Sequence, residues 1–328
     1  MTSGLLSLPG NARLIAGVFF LSAWLGGCAL IVPQTDGLHQ AWPDDLPRSA
    51  ELKDVPFFPQ VDYECGPAAL ATTLADAGAK VTLDDLVEKV YLPGREGSLQ
   101  VEMLAAPRRY GMVSYQLAPR LEDLLREVAA GIPVIVLQDY GVWPFRVWHY
   151  AVVVGFDRSE GEVVLRSGEK PRLTMPIGVL EYTWKESDYW AMVTVPPGRI
   201  PVTATESGYL QAVLAMEHAG KNARAAMTAY AAFLKRWPDN IAASIGLANG
   251  QYALGQLKEA EAVLREAARR HPDSAVVLNN LAQTLSDQHR NDEALTVIER
   301  AAALGDARFA AAVGETRELI LRRMKESN

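Results

Sequence analysis

Cys65, His149 and Gln60 are the side chains of this 328-residue sequence whose types and spacing could supply a nucleophile, a base and an oxyanion donor. For a thiol to attack a carbonyl it needs thiolate character, a proton acceptor nearby and hydrogen-bond donors for the oxygen that turns negative. Cys65 leads into Gly66-Pro67-Ala68-Ala69-Leu70, where proline suits a first helical turn and alanine propagates it; Gly78 lies just past the expected end. At a helix N-terminus the unpaired N–H groups and the macrodipole favour thiolate. The Cys65 N–H can serve as one oxyanion donor. Gln60, five residues upstream and directly after Pro59, is placed to offer its side-chain amide as the second. Of five histidines, His39 falls in an N-terminal tether, and His218, His271 and His289 fall in a C-terminal helical region. His149 stands alone at the start of the apolar run Tyr150–Phe156, a rim position from which an imidazole can face a thiolate across a cleft. The alternative role is that of a hydrogen-bonded structural histidine.

The elements that must position these groups are short and mixed. Helices are expected after Cys65, over Thr82–Val90 and over Arg120–Ala130. Val134–Leu137 and Tyr150–Phe156 read as buried strands, and Asp157–Gly161 as a turn leading to a further strand, Glu162–Arg166. Helices first and paired strands later describe an α+β domain.

Val55-Pro56-Phe57-Phe58-Pro59-Gln60, Cys65-Gly66-Pro67-Ala68-Ala69 and His149-Tyr150-Ala151-Val152-Val153-Val154 together resemble the bacteriocin-processing, or double-glycine, branch of the papain-like cysteine peptidases. The resemblance spans roughly residues 53–195. It implies an α+β papain-like fold, Gln60 in the oxyanion hole, Cys65 as nucleophile and His149 as general base and then acid. Peptide hydrolysis would pass through an acyl-enzyme at Cys65. The family's third member, an aspartate, falls on Ser167 in Val163-Val164-Leu165-Arg166-Ser167-Gly168. A serine hydroxyl can orient an imidazole but cannot stabilise imidazolium with a negative charge. Asp157 is a possible substitute, with a turn role as its competing reading. The aromatic stretch Trp143-Pro144-Phe145-Arg146-Val147-Trp148 either walls a substrate groove or packs in the core. Gly94-Arg95-Glu96-Gly97-Ser98 reads as a surface turn. No spacing suggests a metal site, and no cofactor is expected.

The second cysteine, Cys28, supplies an address. It closes Leu25-Gly26-Gly27-Cys28 after the apolar run Leu14–Leu25, which is too short to span a bilayer. This resembles the lipobox of bacterial lipoproteins and implies a signal peptide over 1–27, lipidation of Cys28 and a membrane anchor. With Ala29 rather than aspartate following, the resemblance favours the outer membrane, facing the periplasm. Residues 1–27 carry one charge, Arg13, so their loss takes the net charge from −7 to −8. That balance, without a basic tract, argues against a nucleic-acid partner. An acylated Cys28 would leave Cys65 with no intrachain disulfide partner.

Pro33, Gly37, Pro43 and Pro47 mark 28–52 as a tether, and Val195-Pro196-Pro197-Gly198 opens a linker over 196–206. Beyond it a repeat appears. Ala226, Ala260 and Ala294 are 34 apart, as are Val213, Leu247 and Leu281, and Tyr230, Leu264 and Ile298. Pro238 and Pro272 keep the same interval, while Ala267 and Ala301 continue from Phe233. A 34-residue helix-pair period resembles the tetratricopeptide repeat. It implies an all-α domain over 207–328, with Asp306–Lys325 as a polar-faced cap, that recruits a protein partner or presents the substrate. The chain thus reads as a lipid-anchored periplasmic cysteine peptidase acting on a peptide or protein. The competing readings are a peptidase-like adaptor of weak or absent activity and an acyl transferase using the same thiol.

Overall fold

The computed structural model describes residues 31–60, 64–95, 97–142, 144–219 and 222–326. Cys28 and the expected signal segment lie outside the described residues. In the N-terminal half, a helix α1 (Pro33–Gln40) and a short strand β1 (Ser49–Glu51) precede α2 (Cys65–Asp76), α3 (Leu83–Val90) and α4 (Gln100–Arg109). Then follow β2 (Val113–Gln116), α5 (Leu121–Ala129), β3 (Val134–Asp139), β4 (Trp148–Asp157), β5 (Glu162–Ser167), β6 (Lys170–Pro176), α6 (Ile177–Trp184) and β7 (Ala191–Val195). The seven strands form one antiparallel sheet in the order β2-β7-β3-β4-β5-β6, with β1 pairing the far end of β4.

Alternation along the strands feeds both faces of this sheet. Val134, Val136, Ala151, Val153 and Leu165 pack with α5 and α6, whereas Ile135, Leu137, Tyr150, Val152 and Val164 pack with α2, α3 and α4. The second cluster seats α2, whose residues Gly66–Leu74 are buried. Thr82 caps α3 by accepting from the Asp85 N–H at 3.2 Å, and Gly78, at φ +89°, ends α2 where a left-handed residue is needed.

The expected tether is a correction. Residues 33–51 belong to the fold: the Glu181 carboxylate on α6, fully buried, accepts from the first-turn N–H groups of Gln34 (3.0 Å) and Thr35 (2.6 Å) of α1. A carboxylate there answers both the orphan donors and the positive helix end. Gln34 in turn accepts from the Leu121 N–H at 2.6 Å and so caps α5, while Leu38 and Leu46 enter the core. An eight-residue helix among prolines leaves little periodic signal, and its seat lies far along the chain.

The C-terminal half is all helix among the described residues. The pairs are α7 (Glu206–His218) with α8 (Ala223–Arg236), α9 (Ile241–Ala253) with α10 (Leu257–Arg270), and α11 (Ala275–Asp287) with α12 (Asn291–Ala303); α13 (Ala310–Glu326) closes the array. The 34-residue positions Ala226, Ala260, Ala294 and Tyr230, Leu264, Ile298 are all buried. The expected linker is fixed rather than loose. Glu127, fully buried on α5, accepts from the N–H groups of Val202 (3.2 Å) and Thr203 (2.7 Å) and from the Thr203 hydroxyl. One hydrophobic cluster continues from the sheet into the first repeat, joining Val113, Tyr115 and Val193 to Tyr209, Val213 and Phe233. No helix among the described residues is long and apolar enough to cross a membrane.

Candidate active site

Cys65 opens α2, as the sequence predicts, and its free thiol is half-buried. Gly66 has to be glycine: a Cβ there would come within 2.7 Å of the Ser98 Cβ, so the helix end could not seat this closely with a side chain. The main-chain N–H groups of Tyr150, Gly66 and Cys65 itself bear on the sulfur and favour thiolate. Burial outweighs them and pushes the thiol above its ordinary value, which reverses the expectation drawn from the helix end alone.

Gln60 acts as a strut between two strand ends. Its N–H donates to the Gly168 carbonyl at 3.1 Å, and its side-chain oxygen accepts from the Gly168 N–H at 3.1 Å. Its Nε2 reaches the Tyr150 carbonyl at 3.4 Å. The β4–β5 ladder begins only at Val152↔Arg166, so Gln60 closes the gap between Tyr150 and Gly168. Both Gln60 and the Cys65 sulfur therefore meet the main chain of Tyr150, the residue after His149.

His149 lies at the start of β4, opposite Gln138 of β3. Its Nε2 is 2.8 Å from Ser167 Oγ at the end of β5, so the serine that stands at the aspartate position does partner the imidazole. Burial pushes the ring's pKa down to about 4. A neutral imidazole and a neutral thiol thus describe the resting site at pH 7, rather than a preformed ion pair.

Three neighbours escaped the sequence reading. The Tyr140 ring stacks on His149 at 5.2 Å with an interplanar angle of 25°. Its hydroxyl donates to Gln138 Oε1 at 3.0 Å. Gln138 Nε2 lies 2.7 Å from Thr183 Oγ1 on α6. The signal that could have found them is the β3–β4 pairing, since β3 runs on to Asp139 and brings Gln138 level with His149.

Asp139 is buried but not the missing acid. Its carboxylate accepts from the N–H groups of Gly141 (2.9 Å) and Val147 (2.8 Å) and pairs with Arg146 at 2.6 Å, fixing the loop before His149. That loop presents Val142 and Phe145 to solvent, each about three-quarters exposed, with Val147 and Trp148 partly so. Core packing of this aromatic stretch is thereby set aside for Phe145 and Trp148; Trp143 lies outside the described residues. Asp157 accepts from Ser159 and Glu160 in its own turn and takes no part in the site. His39, His218, His271 and His289 sit on α1, in the repeats and at their turns. Among the described residues no group of three His, Cys, Asp or Glu could hold a metal ion.

Residues 52–170 match the Peptidase_C39 like family. The α+β domain resembles the C39 peptidases. Residues 218–276 and 251–315 match the tetratricopeptide repeat. Among solved structures, a putative C39-like peptidase from Bacillus anthracis is 19% identical, covering 45% of this chain and 98% of its own, with a TM-score of 0.37. A double glycine motif protease from an AMS/PCAT transporter, in complex with the leader peptide, is 22% identical over 43% of this chain and 91% of its own, at 0.34. The TPR2B domain of yeast Sti1 in its pHsp70 complex is 16% identical over 36% and 97%, at 0.33. No curated protein matches the chain.

The neutral His149 of the C39-like domain has a consequence for stability. Unfolded, the ring titrates near 6.5; folded, near 4, so between these values the unfolded chain holds the extra proton. Stability contributed by the neutral ring is present above pH 6.5 and is lost as pH falls towards 4, by about 2–3 kcal/mol for this group. Denaturant titrations from pH 7 to pH 4 are expected to show that loss in wild type and a shallower slope in His149→Gln. Equal slopes in the two chains would mean that His149 is not held neutral.

Proposed function

We propose that this protein is a cysteine peptidase in which Cys65 forms an acyl-enzyme with a peptide carbonyl and His149 moves the proton. The 2.8 Å contact between His149 Nε2 and Ser167 Oγ carries this reading, because it holds the base at the strand end whose next residue, Tyr150, turns its main-chain N–H to the Cys65 sulfur. His149 would take the thiol proton as Cys65 attacks and return it to the leaving amine; water would then release the acyl group. The Cys65 N–H and the second hydrogen of the Gln60 amide are the donors for the oxyanion, one from a helix end and one from a strut. The exposed Phe145 and Trp148 would border the substrate, and the repeats would recruit it or a partner protein. Lipid attachment at Cys28 and a periplasm-facing site complete the proposal.

A peptide carrying a thiol-reactive warhead tests the chemistry. Wild-type Cys65 is expected to react at least about 100-fold faster than a model thiol at pH 7, the scale of a positioned base, and Cys65→Ala not at all. A wild-type rate equal to that of the model thiol would instead favour a non-catalytic adaptor. That second reading draws support from the resting site itself, since burial disfavours both charged forms.

A further inference from the structure

We propose that the loop 140–148 is a second membrane contact, an apolar wedge that enters the lipid interface beside the acylated N-terminus and holds the candidate active site against the bilayer. The inference rests on the proposed lipid attachment at Cys28 and is independent of the chemistry at Cys65.

Val142, Phe145 and Ile31 are the three most exposed large apolar side chains among the described residues. They are far apart in sequence but tied to one turn. A 3₁₀ turn, Lys185–Ser187, follows α6. Its Lys185 ammonium holds the Ile31 carbonyl at 3.3 Å, and the next residue, Glu186, pairs with Arg146 of the loop at 2.6 Å. The same ammonium lies 4.3 Å from the centre of the partly exposed Tyr182 ring. Tyrosine and lysine in this pairing suit the headgroup level of a bilayer, where an apolar body and a polar tip are both satisfied. Cys28 precedes Ile31 by three residues. A lipid on Cys28 therefore brings this turn, and the loop paired to it, to the membrane.

The loop is built for a dry surface. Gly141 admits no side chain, because a Cβ there would overlap the Phe145 carbonyl. The Phe145 N–H donates to the Val142 carbonyl at 2.6 Å and the Tyr140 N–H to the Val147 carbonyl at 2.9 Å. With Asp139 accepting from Gly141 and Val147, these main-chain groups need no water and can enter a low-dielectric interface. Arg146 is neutralised by Asp139 and Glu186, so its charge is paired on both sides. A loop held this firmly with its apolar side chains in water gains stability only when something covers them. The anchor decides what does: it keeps a bilayer permanently beside the loop. Paired charges and an acidic chain fit a zwitterionic lipid surface better than an anionic one.

Two contacts also fix an orientation that one leaves free to swivel. Trp148, directly before His149, then stays at the cleft, and a substrate beside it is met at the interface.

Depth-dependent quenching tests the wedge. The full chain carries Cys65→Ser, which removes the other free thiol, and Phe145→Cys labelled with an environment-sensitive fluorophore. It is reconstituted in phosphatidylcholine vesicles, and mass spectrometry reads the state of Cys28. Leu304→Cys in place of Phe145→Cys gives a reference at an exposed position of the repeats. The label at position 145 should be shielded from aqueous iodide at least about 5-fold relative to the reference, as for a group about 5–10 Å into the interface. It should also be quenched by lipid spin-labelled near the headgroup, and adding Val142→Asp should restore iodide access. Acylated Cys28 with equal iodide access at both positions overturns the wedge and leaves the anchor standing. Shielding without quenching by the spin-labelled lipid assigns the loop to a protein surface and overturns it as well. An unmodified Cys28 removes the anchor reading and the wedge with it.

Discussion

Exchange of His149 for alanine is expected to slow acylation of Cys65 by roughly 10²–10⁴-fold at pH 7, the contribution of a well-placed general base. In a site that stores a thiolate beside an imidazolium, losing the histidine leaves some thiolate behind. Here burial raises the thiol and holds the imidazole down near 4, so there is little stored thiolate to fall back on. Proton removal has to accompany attack, and the base is needed at that moment. Labelling by a peptide-linked thiol reagent, followed from pH 5 to pH 10, separates the cases. Wild type should react well at neutral pH, whereas His149→Ala should gain rate steeply with pH as hydroxide takes over deprotonation. Curves that coincide at pH 7 would remove His149 from the mechanism. The exchange also deletes the ring against which Tyr140 stacks, so a melting curve for each chain belongs beside the rates.

Truncating Tyr209 to alanine should cost about 3–5 kcal/mol, the range for deleting a buried aromatic ring, with little opportunity for collapse around it. Tyr209 has no exposed surface and lies among Phe233, Trp237 and Tyr115, with ring centroids 6.2, 6.3 and 6.4 Å away. Its hydroxyl donates to the Arg199 carbonyl at 3.2 Å, so the exchange also strips a partner from the segment joining the two halves. Because Tyr115 belongs to the sheet and Phe233 to the first helix pair, this ring is where the halves are welded. Calorimetry should show one transition in wild type. In Tyr209→Ala the midpoint should fall by about 10 °C, given 2–4 °C per kcal/mol for chains somewhat smaller than this one. A wild-type profile with two separate transitions would show that the shared core does not couple the halves.

What was legible in the sequence was local or periodic. Cys65 announces itself by the glycine, proline and alanines that follow it, and the repeat by side-chain sizes recurring every 34 residues. His149 is legible because it is the one histidine between the expected tether and the helical repeats, and it opens an apolar run. The pairing of His149 with Ser167 followed from the family likeness and is matched by a 2.8 Å contact. Register across the sheet was not legible. The apolar run stops at Leu137, so pattern alone ends the strand there and leaves out Gln138, which pairs with His149, and Tyr140, which stacks on it. The acidity of Cys65 was misjudged for a related reason: a helix end shows in a sequence, but the packing that dries the sulfur does not. α4 was missed with Pro107 in its interior, and β6 because it is an edge strand with mostly exposed side chains. Neither leaves the regular apolar spacing from which elements are read.

The seating of α1 on Glu181 sets a leash length. Val32 is already buried, and the Lys185 ammonium holds the Ile31 carbonyl at 3.3 Å. An acylated Cys28 would be separated from Val32 by only Ala29, Leu30 and Ile31, about 14 Å of chain even fully extended. A tether of 25 residues would let the catalytic body roam; this one would moor it to the bilayer surface. Its radius of action would then be that of the folded body alone, and substrates would have to arrive at the membrane to be reached.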